Sequence, residues 1–440
     1  MRDYIILAVI LASVPICLFN PYFGVLMWSW IAYFNPHRFA WGIAYNFPVA
    51  TAVAVPTLVG TIFARKMNRR FLTREMGVLL FLWIWFAYTV FHATQEPLFH
   101  DHIREAQNQL ATVSKVLLMT MLSVLLVSSV RKLKYLFVVT SLSFGILGIK
   151  GALFGLRTGG EFRVYGPPDS FVADNNDLAL AINMSLPMLF YLARREERRW
   201  LRNILWAAFF CSGIAVLLTY SRGGLLGLAV VMSMIAVKAR KKALAIVLLI
   251  ICASLVLTFA PGPWLGRMGI FLTGNLDESA QGRLNAWHFA WVLATNYPLT
   301  GGGFETFTPG LFERFTPNLQ FAGPHSIYFQ VLGEQGFVGL GLFLTLLASC
   351  WFTLRKLRRS AQRLGVASWV MTYTDILQVS LLAYMVSGAF LPRAYFDLFY
   401  QLVASVIILK ILFRREVAAV TAQVREEQPV LAQVGEPVIS

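Results

Sequence analysis

The chain has 440 residues, 57% of them hydrophobic and only 14% charged, with a mean hydropathy of +0.63. Those values exclude a soluble globular domain and define a polytopic membrane protein. The net charge of +16 is spread over short basic clusters between apolar runs, which makes it a topology signal and not a nucleic-acid footprint.

A transmembrane helix needs about 20 mostly apolar residues, and such windows recur from end to end. Residues 4–35 are apolar but broken at Asn20-Pro21, and they are counted as one interrupted crossing. Further windows lie at 47–64, 76–93, 112–130, 135–151, 177–193, 203–220, 223–237, 243–260, 326–353, 371–391 and 396–413, so an all-α bundle of about twelve crossings is expected.

Most of the 38 Lys and Arg fall in alternate loops: Arg65 to Arg74, Arg131 to Lys134, Arg194 to Arg202, Lys238 to Lys242, Arg355 to Arg363, and Arg414-Arg415. The positive-inside rule makes those loops cytoplasmic, with both chain termini on that side. Connections 94–111, 152–176, 221–222, 261–325 and 392–395 then face outward. Residues 1–415 form the transmembrane domain, with 261–325 inserted as a large periplasmic loop, and the polar segment 416–440 reads as a disordered cytoplasmic tail. The four cysteines sit in apolar runs and suggest neither a disulfide nor a metal site.

The cations that break the charge rule are more informative. Lys115, Lys150, Arg163, Arg222, Arg283 and Arg393 fall at outward helix ends or just beyond them. Singly they read as snorkelling surface charges; together, from separate segments, they suggest a shared anion site. Arg222 lies in Tyr220-Ser221-Arg222-Gly223-Gly224, a hairpin with almost no loop. Its guanidinium suits phosphate oxygens, although capping a helix end is the alternative role. Arg283, Trp287 and Trp291 recur every four residues on an expected helix, so they share a face that could rest on the membrane interface. Asn296 to Gly303 resembles a phosphate cradle but lacks the flanking strand and the Gly-Lys-Ser/Thr of a nucleotide loop.

His325 follows Pro324 and opens an apolar helix, where it either serves as a general base or caps the helix end. Tyr328 lies three residues on. Gly333, Gly336, Gly339 and Gly341 offer a surface for close helix packing, and Glu334 among them requires a partner. His100-Asp101-His102 reads as an exposed loop. Asp174 to Asp177 reads as a helix N-cap cluster, with a place beside a polar substrate as the second possibility.

These elements resemble the O-antigen ligase and polymerase superfamily of bacterial inner-membrane glycosyltransferases. The resemblance rests on the Tyr220 to Gly224 hairpin and then, in order within the late loop, Arg283 with Trp287, Pro298 to Gly301 with Gly303, and His325-Ser326 with Tyr328 and Gly333. The amino-terminal part, with Phe19-Asn20-Pro21 and Phe34 to Arg38, is similar to O-glycosylation ligases of the exosortase-associated type. The resemblance implies a GT-C-like fold and a transferase needing no cofactor or metal. It also implies an undecaprenyl-diphosphate-linked glycan as donor and lipid A-core as acceptor, with membrane lipids around both. On that expectation Arg222 and Arg283 bind the diphosphate, His325 is the base, and Lys150, Arg163, Tyr328 and Arg393 contribute to substrate binding. A polymerase or a protein O-glycosylation ligase using the same donor is the nearer alternative, and a lipid-linked glycan transporter the more distant one.

Overall fold

The computed structural model describes residues 2–64, 66–239, 241–259, 262, 278–365 and 368–434. Arg65, Arg240 and Arg267 lie outside them. Among the described residues there is no strand.

The helices are α1 (Arg2–Phe19), α2 (Pro21–Phe34), α3 (Val49–Ile62), α4 (Arg74–Gln95), α5 (Ile103–Leu126), α6 (Val130–Arg157), α7 (Asn175–Arg195) and α8 (Arg199–Leu218). They continue with α9 (Arg222–Val237), α10 (Lys242–Phe259), α11 (Glu278–Asn296), α12 (Pro309–Phe315), α13 (Ile327–Leu364), α14 (Ser368–Gly388) and α15 (Asp397–Val434). Among the described residues six helices are long and apolar enough to cross a membrane, with α3 and α9 as shorter apolar helices. This is the helical, multi-pass architecture that composition requires. α15 continues through 416–434, a segment expected to be disordered.

Residues 4–35 are two helices and not one crossing, because Pro21 cannot donate the backbone hydrogen bond that would continue α1. The Asp3 carboxylate accepts hydrogen bonds from the backbone of Gly42 at 2.8 Å and of Ala44 at 3.2 Å. The chain therefore returns to the end of the bundle where it began, and the amino terminus does not lie opposite the loop that follows α2.

α7 is the axial helix: it is buried over most of its length and packs against α6, α8, α9 and α14. Close approach needs small residues at the contacts. A Cβ on Gly224 would meet that of Ala179 at 2.6 Å, and one on Gly227 would overlap Ser387 Oγ. A smaller core of Phe99, Phe289, Leu293, Leu311 and Phe312 holds α11 and α12 against the end of α4. Most of the described late loop is thus a packed cap on the bundle.

α13 is broken at Gly336, whose φ of 67° and ψ of −172° are open essentially to glycine alone. The segment 298–303 fills the break: Gly302 and Gly303 donate to the carbonyls of Gly333 and Glu334, and Phe337 donates to that of Pro298, each at 2.9 Å. Gly333 and Gly336 therefore receive a loop, Gly339 approaches Trp85 of α4 as the helix-packing reading expects, and the apparent phosphate cradle satisfies helix backbone. Gly336→Ala should combine the backbone strain with a Cβ placed 2.3 Å from the Leu299 carbonyl oxygen, costing at least about 2 kcal/mol. Thermal unfolding of the purified protein in detergent should show a clearly lower midpoint, and an unchanged midpoint would count against this account of the break.

Candidate functional site

The first turn of α7 joins the other parts of the site. Asp174 caps the helix by accepting from the Asn176 backbone at 2.8 Å, as the N-cap reading expects. Asn175 donates to the Thr219 carbonyl at 2.7 Å, which fixes the hairpin between α8 and α9. Asp177, almost fully buried, pairs with Arg393 from the segment before α15.

In that hairpin Tyr220 takes a left-handed φ of 59°, and the Ser221 hydroxyl caps α9 by accepting from the Gly224 backbone at 3.0 Å. Arg222 is therefore the first residue of α9, half-buried, one turn of chain from the contact with Asn175. Gly223 lies close to Phe390, where a Cβ would make a tight contact at 3.3 Å.

His325 is set by α11. Trp287 stacks on Phe329 with ring centroids 4.9 Å apart and donates its indole N–H to the Pro324 carbonyl at 3.0 Å. Trp291 packs edge-on against Phe337. The tryptophan face expected at the membrane interface thus lies against α13. The contact holds His325 at a φ of 39°, a conformation costly for any residue but glycine, asparagine or aspartate. The imidazole is accessible, yet the protein around it and the positive charge of Arg283 push its pKa below the usual histidine range, with Asp174 opposing them. Arg283, His325 and Asp174 therefore share one electrostatic neighbourhood.

His325 Nε2 would stand 3.8 Å from a Cβ on Gly323, and Gly323-Pro324 line a cavity of about 360 Å³. Its other walls include Gln109, Glu305, Glu334, Arg393 and Tyr395. Glu334 accepts from the Tyr395 hydroxyl at 2.6 Å and the Glu305 backbone at 3.3 Å, which supplies the partners its sequence position requires. Burial pushes the Glu305 carboxyl up, against the lowering effect of Arg393.

The remaining cations are distributed. Lys150 and Arg163 line a separate cavity of about 270 Å³, with the Lys150 ammonium 4.1 Å from the Phe39 ring centre. Arg163 is felt by Tyr220 and so borders the hairpin. Lys115 lines a third cavity. Tyr328 donates to the Met385 carbonyl at 3.1 Å, which gives it a part in joining α13 to α14. His102, expected in an exposed loop, is buried with Nε2 3.1 Å from the Gly302 carbonyl oxygen. Glu305 carried no periodicity or motif to single it out. Asp177 was visible only as part of a capping cluster.

A helical membrane bundle whose charged cavity is closed by a loop-derived cap defines the class: a multi-pass membrane protein with a polar site at one end. Residues 207–344 match the O-antigen ligase family model and residues 1–196 match a family of unknown function. The first match, over residues 207–344, supports membership of the O-antigen ligase superfamily, a family of ligase- and polymerase-type glycosyl transfer. No curated protein matches the chain.

Breaking the Asp177–Arg393 pair from one side leaves a charge behind in a mostly buried setting, at a cost of up to about 3 kcal/mol. Arg393→Gln should therefore destabilise the protein more than Arg393→Gln combined with Asp177→Asn. Equal unfolding midpoints for the two variants would show that the pair carries no such constraint.

Proposed function

We propose that the protein is an inverting, metal-independent glycosyltransferase that moves an O-antigen glycan from undecaprenyl diphosphate to lipid A-core at the periplasmic face of the inner membrane. The observation that carries this reading is His325, held on a strained turn beside Arg283 at the edge of a polar cavity. Basic groups such as Lys238 and Arg358 meet Asp375 where α9, α13 and α14 come together away from that cavity, and the charge rule assigns those segments to the cytoplasm. The cavity then faces the periplasm, where nucleotide sugars are not supplied and a lipid-linked diphosphate provides the activated donor.

The chemistry needs three things: a base for the acceptor hydroxyl, fixed positive charge for the leaving diphosphate, and a means of holding both substrates. His325 removes the hydroxyl proton as the acceptor oxygen attacks the anomeric carbon. The carbon–oxygen bond to the diphosphate breaks on the opposite face, and undecaprenyl diphosphate leaves with the electron pair. Arg222 and Arg283 stabilise the charge that builds there, which is usually among the largest catalytic contributions. Lys150 and Arg163 meet polar groups of the substrates at their own cavity, Arg393 shapes the wall of the His325 cavity through its pair with Asp177, and Tyr328 keeps α13 in place.

Arg283 has a second effect. In the free protein its charge opposes protonation of His325. A bound diphosphate would neutralise that charge, so His325 becomes a stronger base when the donor is in place.

Asparagine tolerates the left-handed backbone of His325 but cannot act as the base. His325→Asn should lower transfer from a lipid-linked glycan to lipid A-core by roughly 10² to 10⁴-fold with little change in thermal stability. Near-normal transfer by that variant would remove His325 from the mechanism. Because the neutral imidazole is the active form, activity should fall as pH drops through its pKa. The acid limb of kcat/KM should lie below the usual histidine range, and that of kcat at higher pH. Arg283→Gln should raise the first limb and close the gap; coincident limbs in the unaltered protein would refute this coupling.

A further inference from the structure

The third cavity, of about 310 Å³, sets a few charged and polar groups among apolar walls and lies outside the residues that match the O-antigen ligase family. It is formed where the chain leaves α2. Asn35 takes a left-handed φ of 53°, and Pro36 starts a short 3₁₀ turn that carries His37 and Arg38. Lys115 of α5, Asp169 and Ser170 of the loop before α7, and Asp397 at the start of α15 complete the polar lining. Trp28, Phe47 and Phe171 supply aromatic walls.

Two groups in this cavity are both more than nine-tenths buried and incompletely bonded. His37 Nδ1 and Asp397 Oδ1 have no hydrogen-bond partner among the described residues. Buried polar atoms are rarely left in that condition, because each costs about 1–3 kcal/mol. Arg38 is held in place, 3.8 Å from Asp169 and with its guanidinium 4.7 Å from the Tyr45 ring centre.

The polar groups decide the class of ligand. Arg38 is offset by Asp169 at 3.8 Å, and burial together with Arg38 lowers the His37 pKa to about 4, so its ring is neutral near pH 7. The incompletely bonded His37 and Asp397 call for a ligand that both donates and accepts hydrogen bonds. A hydroxyl-rich ligand, which both donates and accepts and presents apolar ring faces to aromatics, fits all three features. Phe171 also lines the cavity beside Gly323-Pro324 and Arg393, so the two cavities are neighbours.

We propose that this cavity is a saccharide subsite that holds sugar residues one or more units away from the reacting end of a glycan. The inference rests on the glycan-transfer reading, and the sugars could belong to the donor glycan or to the acceptor core. The test uses the full-length protein in nanodiscs, titrated with oligosaccharide released from the lipid-linked donor and, separately, with delipidated core oligosaccharide. Tryptophan fluorescence and calorimetry report binding. At least one oligosaccharide should bind, and His37→Ala and Asp397→Asn should each weaken it tenfold or more. Thr112→Trp, which fills the cavity without removing those groups, should weaken it similarly while leaving the protein monodisperse; His325→Asn should not.

The oligosaccharide whose binding responds identifies the source. Binding unaffected by all three cavity variants, or no binding of either oligosaccharide, would overturn the subsite even if transfer to lipid A-core proceeds. Cavity-dependent binding without any transfer to lipid A-core would instead support the subsite and overturn the functional reading.

Discussion

The buried pairing of Asp177 with Arg393 is the constraint on which the site's architecture depends. α7 packs against four helices, and Asn175 and Asp177 of its first turn are buried against them. Those groups must find partners within the protein. Asp177 finds Arg393, Asn175 finds the Thr219 carbonyl, and Asp174 caps the helix while its charge reaches His325. One helix end thus links the α8–α9 hairpin, the segment before α15 and the histidine turn.

A second constraint comes from the break in α13. Interrupting a helix leaves backbone donors and acceptors open, and these can persist at membrane depth only if protein covers them. The Pro298 to Gly303 segment does so, which ties α11 and the cap to the two halves of α13. The amino-terminal half of α13 then starts at Ser326 immediately after the strained His325, with Trp287 bracing Pro324. Strain at the histidine and satisfaction at the glycine are two ends of one device. Gly336 allows the helix to open, and the loop that enters it belongs to the same cap that positions the imidazole.

Much of this was legible in the sequence, for reasons that vary by residue. Apolar windows mark helices because the solvent for those segments is hydrocarbon, and each window falls in or near a helix. His325 and Arg283 stood out because their local patterns, Pro-His-Ser before an apolar run and Arg with Trp at i+4, are short-range. The contact of Trp287 with Phe329 and Pro324 was not legible because periodicity says which residues share a face but not what that face meets. Gly333 and Gly336 were misread for a similar reason: small residues permit close approach by any backbone, loop or helix. The return of the chain at Asn20-Pro21 was visible as a break, yet its geometry depends on Asp3 reaching Gly42 and Ala44, a contact between segments about forty residues apart. Glu305 was missed as a site residue, and Asp177 placed beside a polar substrate only as a second possibility, because their partners come from elsewhere in the chain.

The outward cations, read together as a shared anion site, are better separated by how their charge is already spent. Arg393 faces Asp177, which cancels most of its field at close range, so its contribution is to shape the wall and to influence Glu305. Lys150 rests over the Phe39 ring in its own cavity, and Lys115 lines another pocket together with Asp169 and Asp397. The charge of Arg283 also acts on the His325 imidazole, the base of the proposed function. A diphosphate entering beside them would both be attracted by Arg283 and release His325 from it. On the proposed function the same cation would attract the leaving group and, once neutralised by it, leave His325 a stronger base, which links proton abstraction to donor binding.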